Sequence, residues 1–327
     1  MILAGDIGGT KTVLALFSET DSMQHPLHEL TYPSARYTSL EAIVAEFLAE
    51  VNTAVSAATF GVAGPVVKGR AKITNLPWLI DAARIAEQFA IPHVHLLNDL
   101  EAIATAVPHL QPADLATLSP GTPDPAGAIA VIAPGTGLGE AFLVWNGQRY
   151  RAHPTEGGHV SFAPGTPEEL ALLQYLQPRF GHVSFERVCS GSGIPNLYDY
   201  LRASGRFPEP DWLCQALAAA ADRTPVIFQA AAEHADPLCS ATLDLFAHIL
   251  AGEAGNMALK VLATGGVYLG GGIPPRLLPR LQQPDFLQAF MHKGRFSSLL
   301  AQIPVHVILH PKVALLGAAY DGLETFA

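Results

Sequence analysis

Asp6-Ile7-Gly8-Gly9-Thr10 and Gly135-Thr136-Gly137-Leu138-Gly139 are two glycine-threonine segments in a chain of 327 residues. Glycines let backbone N–H groups close on an anion, a threonine adds a hydroxyl, and a carboxylate at a strand end holds magnesium, directly or through water. Asp6 supplies that carboxylate, and the second segment has no equivalent. The first copy would then face a metal, and the second would only donate N–H groups. Neither has the Walker A form, and neither opens a helix as a dinucleotide fingerprint does. An ordinary hairpin turn has the same composition as Gly5 to Thr10. The occurrence of two such loops, each between strand-like runs, is what points to a two-part phosphate clamp. A third cluster, Gly270-Gly271-Gly272, runs into Pro274-Pro275. It reads either as close approach to the adenosine part of a nucleotide or as a flexible strand-to-helix turn.

Asn98-Asp99 falls where an apolar strand gives way to a helix, at the carboxyl edge of the sheet, where open α/β folds bind ligands. An ionised Asp99 there would accept a hydroxyl proton, and a helix N-terminus keeps it ionised at neutral pH. Asn98 with Glu101 also has the spacing of a capping box, which serves structure alone. Glu156-Gly157-Gly158-His159 has E-x-x-H spacing, but two glycines argue against the helix that a zinc site of this form needs. A loop presenting one acceptor and one donor-acceptor suits hydroxyl recognition. Glu186, in Phe185-Glu186-Arg187-Val188, reads by itself as a solvated helix charge. Cys189, Cys214 and Cys239 are widely spaced and odd in number, which fits neither a disulfide framework nor structural zinc.

The elements that would carry these residues alternate. Strand-like runs at 2–4 and 12–17 flank the first loop, a helix is expected over 39–52, a buried strand over 54–62, a helix over 81–89, a strand over 93–97 and a helix over 100–106. The breaker cluster Ser119 to Pro125 precedes a second unit, in which 128–133 and 141–145 flank the second loop. Helices are expected over 167–177, 194–202, 211–221 and 241–262, strands over 267–269 and 305–310, and a last helix over 313–324. Two lobes that each begin with strand, glycine loop and strand are what an α/β protein of the two-lobed actin/hexokinase-like (ribonuclease H-like) class would produce, by analogy at the level of the fold, with an interlobe cleft as the expected ligand site. The expected lobes are residues 1–109 with 311–327, and 110–310. The chain is 49% hydrophobic and carries a net charge of −10, without any Lys/Arg run. Nucleic acid and anionic membranes are therefore not expected partners. Neither a signal segment nor a bilayer-length apolar stretch is visible, so a cytoplasmic protein is expected.

Together these residues give a recognisable pattern. Gly5 to Thr10, Thr74-Asn75 with Trp78, Leu97-Asn98-Asp99, Gly135 to Gly139, Glu156 to Val160, Gly181 to Ser184 with Glu186-Arg187, Ser190-Gly191, Gly270 to Ile273 with Pro275-Arg276, and Lys293 to Phe296 resemble the bacterial glucokinase family in order and separation. The resemblance implies that ATP and D-glucose are the substrates, with Mg²⁺, and that the γ-phosphoryl group passes to the sugar 6-hydroxyl. It implies that Asn75, Asn98, Asp99, Glu156, His159 and Glu186 line the sugar site, with Asp99 as the base. Gly5, Asp6, Ile7, Gly8, Gly9, Thr10, Gly135, Thr136, Gly137, Gly270, Gly271 and Gly272 would bind the nucleotide. A homodimer is also implied, with the C-terminal helix packed back on the N-terminal lobe. Lys11 and Glu140 depart from the family pattern, which has Asn at the first position and an apolar residue at the second. The zinc-binding cysteine cluster of the related repressor/open-reading-frame/kinase family is missing. A nucleotide switch of the actin or chaperone kind would share the glycine loops without needing the sugar residues.

Overall fold

The computed structural model describes residues 1–20, 23–73 and 76–326. Asn75 lies outside the described residues. In chain order the elements are β1 (Ile2–Ile7), β2 (Lys11–Phe17), β3 (His28–Pro33), α1 (Leu40–Val51), β4 (Ala57–Val62), β5 (Val66–Val67), β6 (Arg70–Lys72), β7 (Leu79–Asp81), α2 (Ala82–Phe89), β8 (His93–Asn98) and α3 (Asp99–Ala106). There follow β9 (Leu115–Ser119), β10 (Ile129–Pro134), β11 (Leu138–Trp145), β12 (Tyr150–Thr155), α4 (Pro167–Phe180), α5 (Ile194–Ala203), α6 (Asp211–Ala219), α7 (Arg223–Glu233) and α8 (Pro237–Val261). The chain ends with β13 (Gly266–Leu269), α9 (Leu278–Leu281), α10 (Pro284–Met291), α11 (Ser297–Leu300), β14 (Val305–Ile308) and α12 (Val313–Phe326). It divides into two compact units: Met1–Asp114 with Asn146–Pro154 and His310–Ala327, and Leu115–Trp145 with Thr155–Leu309. Among the described residues no helix is long and apolar enough to cross a membrane.

In the first unit a five-stranded sheet has the order β3-β2-β1-β4-β8. Strands β1, β4 and β8 are parallel, and β2 and β3 extend the sheet as antiparallel neighbours. Alternate side chains feed two cores, as a two-sided sheet requires. Leu3, Ile7, Leu14 and Leu16 pack with Ile43, Val44 and Phe47 of α1, while Ile2, Ala4, Val13 and Phe17 pack with Leu315, Ala318 and Ala319 of α12. The C-terminal helix thus returns to the N-terminal strands. Helix α1 starts where Ser39 Oγ accepts the Ala42 N–H at 3.4 Å, an N-cap visible in the sequence. The small sheet β5-β6-β7 and the strand β3 were not expected from sequence; short polar edge strands such as His28–Pro33 carry no alternation to reveal them.

In the second unit β11, β10, β13, β14 and β9 lie side by side in that order. Strands β10, β13 and β14 are parallel, and β11 and β9 antiparallel to their neighbours. Helix α8 runs through the core beside this sheet, with Phe246, Leu250, Ala254 and Ala258 buried along it. It begins four residues before the expected start. Asp236 Oδ1 accepts the Cys239 N–H at 2.8 Å, and Pro237 occupies the first helical position, so cap and proline together extend it by a turn. Cys189 and Cys239 are buried and Cys214 is exposed, all three as free thiols.

One contact ties α12 to the sheet and titrates. His95 Nδ1 on β8 lies 2.7 Å from Asp321 Oδ2, and the Asp321 bond with further help from its charge raises the His95 pKa against the opposing effect of burial. A raised histidine stabilises the fold below its unfolded pKa and loses that contribution as pH rises through the folded value. Asp321→Asn is therefore expected to lower the melting temperature most near pH 6 and progressively less above neutrality. Because the His95 ring is partly solvent-exposed, the difference should not exceed about 2 °C by calorimetry.

Candidate active site

The first glycine loop is held from behind by a residue that sequence reasoning did not select. Ser34 Oγ donates to the Gly8 carbonyl at 2.8 Å, and the Ser34 N–H donates to the Thr10 carbonyl at 3.1 Å. Thr12 Oγ1 is 3.0 Å from the same Ser34 hydroxyl, and the Gly8 N–H closes the turn on the Lys11 carbonyl at 3.0 Å. With the Gly8 carbonyl turned toward Ser34, planarity of the peptide turns the Gly9 N–H the opposite way. Asp6 is the penultimate residue of β1, just before this loop. Burial pushes its pKa up, and only Lys11 opposes the shift. A poorly solvated carboxylate gains from a bound cation, and an oxygen donor suits magnesium.

Asn98 and Asp99 stand at the junction of β8 and α3 in this unit. Asn98 Oδ1 accepts the Leu100 N–H at 2.9 Å, and its Nδ2 donates to the Gly64 carbonyl at 3.1 Å. Glu101 accepts in turn from the Asn98 backbone N–H, so the capping-box spacing does form a cap. Asn98 therefore fixes the helix start and the turn after β4 together. Asp99 is the first residue of α3 and is half-buried, with Oδ1 accepting the Leu100 N–H at 2.9 Å.

The second unit joins three separate sequence motifs. The Gly191 N–H donates to the Gly135 carbonyl at 2.8 Å, and the Ser192 N–H to the Thr136 carbonyl at 3.1 Å. The Gly270 N–H donates to the Ile132 carbonyl at 2.8 Å, which brings the third glycine cluster, with Gly271, beside the second loop. A cavity of about 640 Å³ opens here, lined by Gly135, Thr136, Ser192, Arg223, Thr224, Gly272 and Arg276 among others. Arg223 is held by Asp199 through bonds of 2.8 and 3.1 Å, Thr224 donates to the Gly191 carbonyl at 2.7 Å, and the Arg276 guanidinium lies 4.2 Å above the Phe228 ring. Arg223, Thr224 and Ser192 were missed because nothing in their immediate neighbours marks them; the only available signal was the small-residue run Ser190 to Gly193.

The same loop continues into the hydroxyl-binding candidates. Glu186 sits in a single 3-10 turn, Phe185–Arg187, and is partly buried, not the solvated helix charge that sequence suggested. Its Oε2 accepts the Leu138 N–H at 3.1 Å, and a β-carbon on Gly137 would come within 2.6 Å of that oxygen, so glycine is what admits the carboxylate. His159 Nδ1 lies 4.0 Å from Glu186 Oε1, and His159 Nε2 lies 3.8 Å from Glu156 Oε2. Glu156 and His159 are 77% and 61% exposed, while Glu186 is 26% exposed. Two acceptors and an imidazole thus converge on one open surface, a donor-acceptor set suited to a polyol. Among the described residues no group of three His, Cys, Asp or Glu is placed to hold a metal.

A model of the glucokinase family matches residues 3–323 of this chain. The glucokinase of Nostoc punctiforme is 42% identical over 333 aligned residues, 98% of either chain. Among solved structures, the glucokinase from an Antarctic psychrotroph has a TM-score of 0.86 at 32% identity, over 99% of this chain and 98% of that one. The glucokinase from Balamuthia mandrillaris, solved in complex with glucose, has a TM-score of 0.78 at 21% identity, over 99% and 93%. The shared fold is the actin/hexokinase-like α/β class expected from the sequence.

Proposed function

The chain belongs to the glucokinase family, which phosphorylates glucose with ATP, and from that premise we propose that Asp99 is the general base. In this reading Asn75, Asn98, Glu156, His159 and Glu186 bind the sugar hydroxyls, and Asp99 takes the 6-hydroxyl proton as the oxygen bonds to phosphorus. The first loop, Gly5 to Thr10, and Gly135, Thr136 and Gly137 direct N–H groups at the phosphates, while Gly270, Gly271 and Gly272 take the adenosine part, with Gly272 lining the cavity. Positioning and charge stabilisation account for most of the catalysis in phosphoryl transfer, so this short set of groups suffices. Asp6 is the residue suited to hold Mg²⁺, which when bound neutralises phosphate charge. The homodimer implied by the resemblance belongs to the same proposal, and ultracentrifugation of the purified chain tests it.

The observation that supports the reading is the Leu138–Glu186 bond, which fastens the proposed nucleotide loop to the proposed sugar-binding carboxylate 48 residues away in the chain. ADP release measured with and without glucose tests it. ADP should appear only with glucose; glucose-independent release would favour a nucleotide switch. In the same assay Asp6→Asn should raise the Mg²⁺ needed for half-maximal rate by about 10- to 100-fold, the usual consequence of weakening a metal's support.

A further inference from the structure

Glu140, on β11 just past the second glycine loop, does not reach solvent: it is 1% exposed. Its side chain passes beneath Gly157, so close that a β-carbon there would overlap Oε2. The Glu140 carbonyl accepts from Thr155 Oγ1 at 2.9 Å, and that hydroxyl accepts the Gly157 N–H at 3.0 Å. One residue therefore meets the Glu156–His159 turn through both its backbone and its side chain.

Among the described residues no group other than the Glu253 carboxyl is placed to bond the Glu140 carboxyl oxygens. Its neighbour Glu253 on α8 is fully buried and takes the nearby donors, Lys260 Nζ at 2.9 Å and Asn256 Nδ2 at 2.8 Å. Two buried carboxyl groups side by side cannot both ionise cheaply, so Glu140 carries the proton. Burial first, and then the charge of Glu253, push its pKa up to about 7, with Lys260 acting in the opposite direction. The other titratable groups around the pair are the Cys189 thiol, raised by burial and by both carboxylates, and Lys293, lowered by burial. Glu156, His159 and Glu186 lie on the loop side.

We propose that Glu140 is a positioning residue for glucose: as an uncharged acid it seats Gly157 and so fixes Glu156 and His159, and on ionising it admits water and releases the turn. The proposal rests on the reading of Glu156 and His159 as sugar ligands. It predicts that glucose affinity falls as pH rises through neutrality, for a reason separate from His159.

The test is glucose binding by calorimetry without nucleotide, on the full chain, from about pH 6 to 8.5. For the parent, Kd should weaken about three- to tenfold across this range. Glu140→Gln, uncharged and of the same shape, should keep the low-pH affinity throughout. A parent curve without pH dependence overturns the proposal, as does a dependence that persists in Glu140→Gln. Should Glu140→Gln fail to fold, Glu253→Gln removes the neighbouring charge and should move the midpoint to lower pH; an unmoved midpoint also overturns it. Glu156→Gln separates the two levels. Parent-like glucose binding in that variant removes the sugar-site reading and this inference with it, whereas weakened binding there, combined with a flat parent profile or a pH dependence that persists in Glu140→Gln, removes this inference alone.

Discussion

Asp99→Asn is expected to lower kcat by about 10²- to 10⁴-fold, the range for loss of a general base, with glucose binding nearly unchanged. The amide is the same shape as the carboxylate, and its oxygen still accepts the Leu100 N–H that Asp99 Oδ1 accepts at 2.9 Å. Asn98 caps α3 independently through its own bond to the same N–H, so the helix start survives. What disappears is basicity alone. Rate measured by coupled ADP release, together with glucose affinity by calorimetry, separates the two effects. Turnover within a few fold of the parent would remove Asp99 from the role.

Glu156→Gln and His159→Ala are expected to raise the glucose KM by about 10- to 100-fold each, since a hydrogen bond to a charged group is worth about 1.5–3 kcal/mol. Both side chains are largely exposed without glucose, so neither supports the core and the unfolding temperature should stay within about 1 °C of the parent. The split between affinity and stability is the informative readout. A KM that stays at the parent's value, or a fall in stability that accounts for lost activity, would show that the turn serves the fold and not the sugar.

Much of this arrangement was legible in residue order because the relevant physics is local. Glycine loops, Asx residues at helix starts and apolar periodicity act within one or two turns of chain, so the first hairpin, the strand β8 to helix α3 junction and the alternating elements could be read directly. Even so, locality misled at Glu186. Taken with its neighbours it resembled a solvated charge, whereas its oxygen meets the Leu138 N–H 48 residues away, a bond that exists only after two loops have packed. Ser34, holding the first loop from 24 residues beyond Thr10, is the same case.

By itself the sequence determined the chemistry on offer: two glycine-threonine loops, a carboxylate near a strand end, an acceptor-imidazole turn and the class of fold. Tertiary structure alone decided which groups meet. It drew Gly135, Gly191 and Gly272 into one cavity wall and gathered Glu156, His159 and Glu186 on one surface. It also buried Glu140 against Glu253 beneath Gly157. The reason is physical: hydrogen bonds and desolvation depend on distance in space, and residues far apart in the chain acquire a shared environment only when the core closes around them.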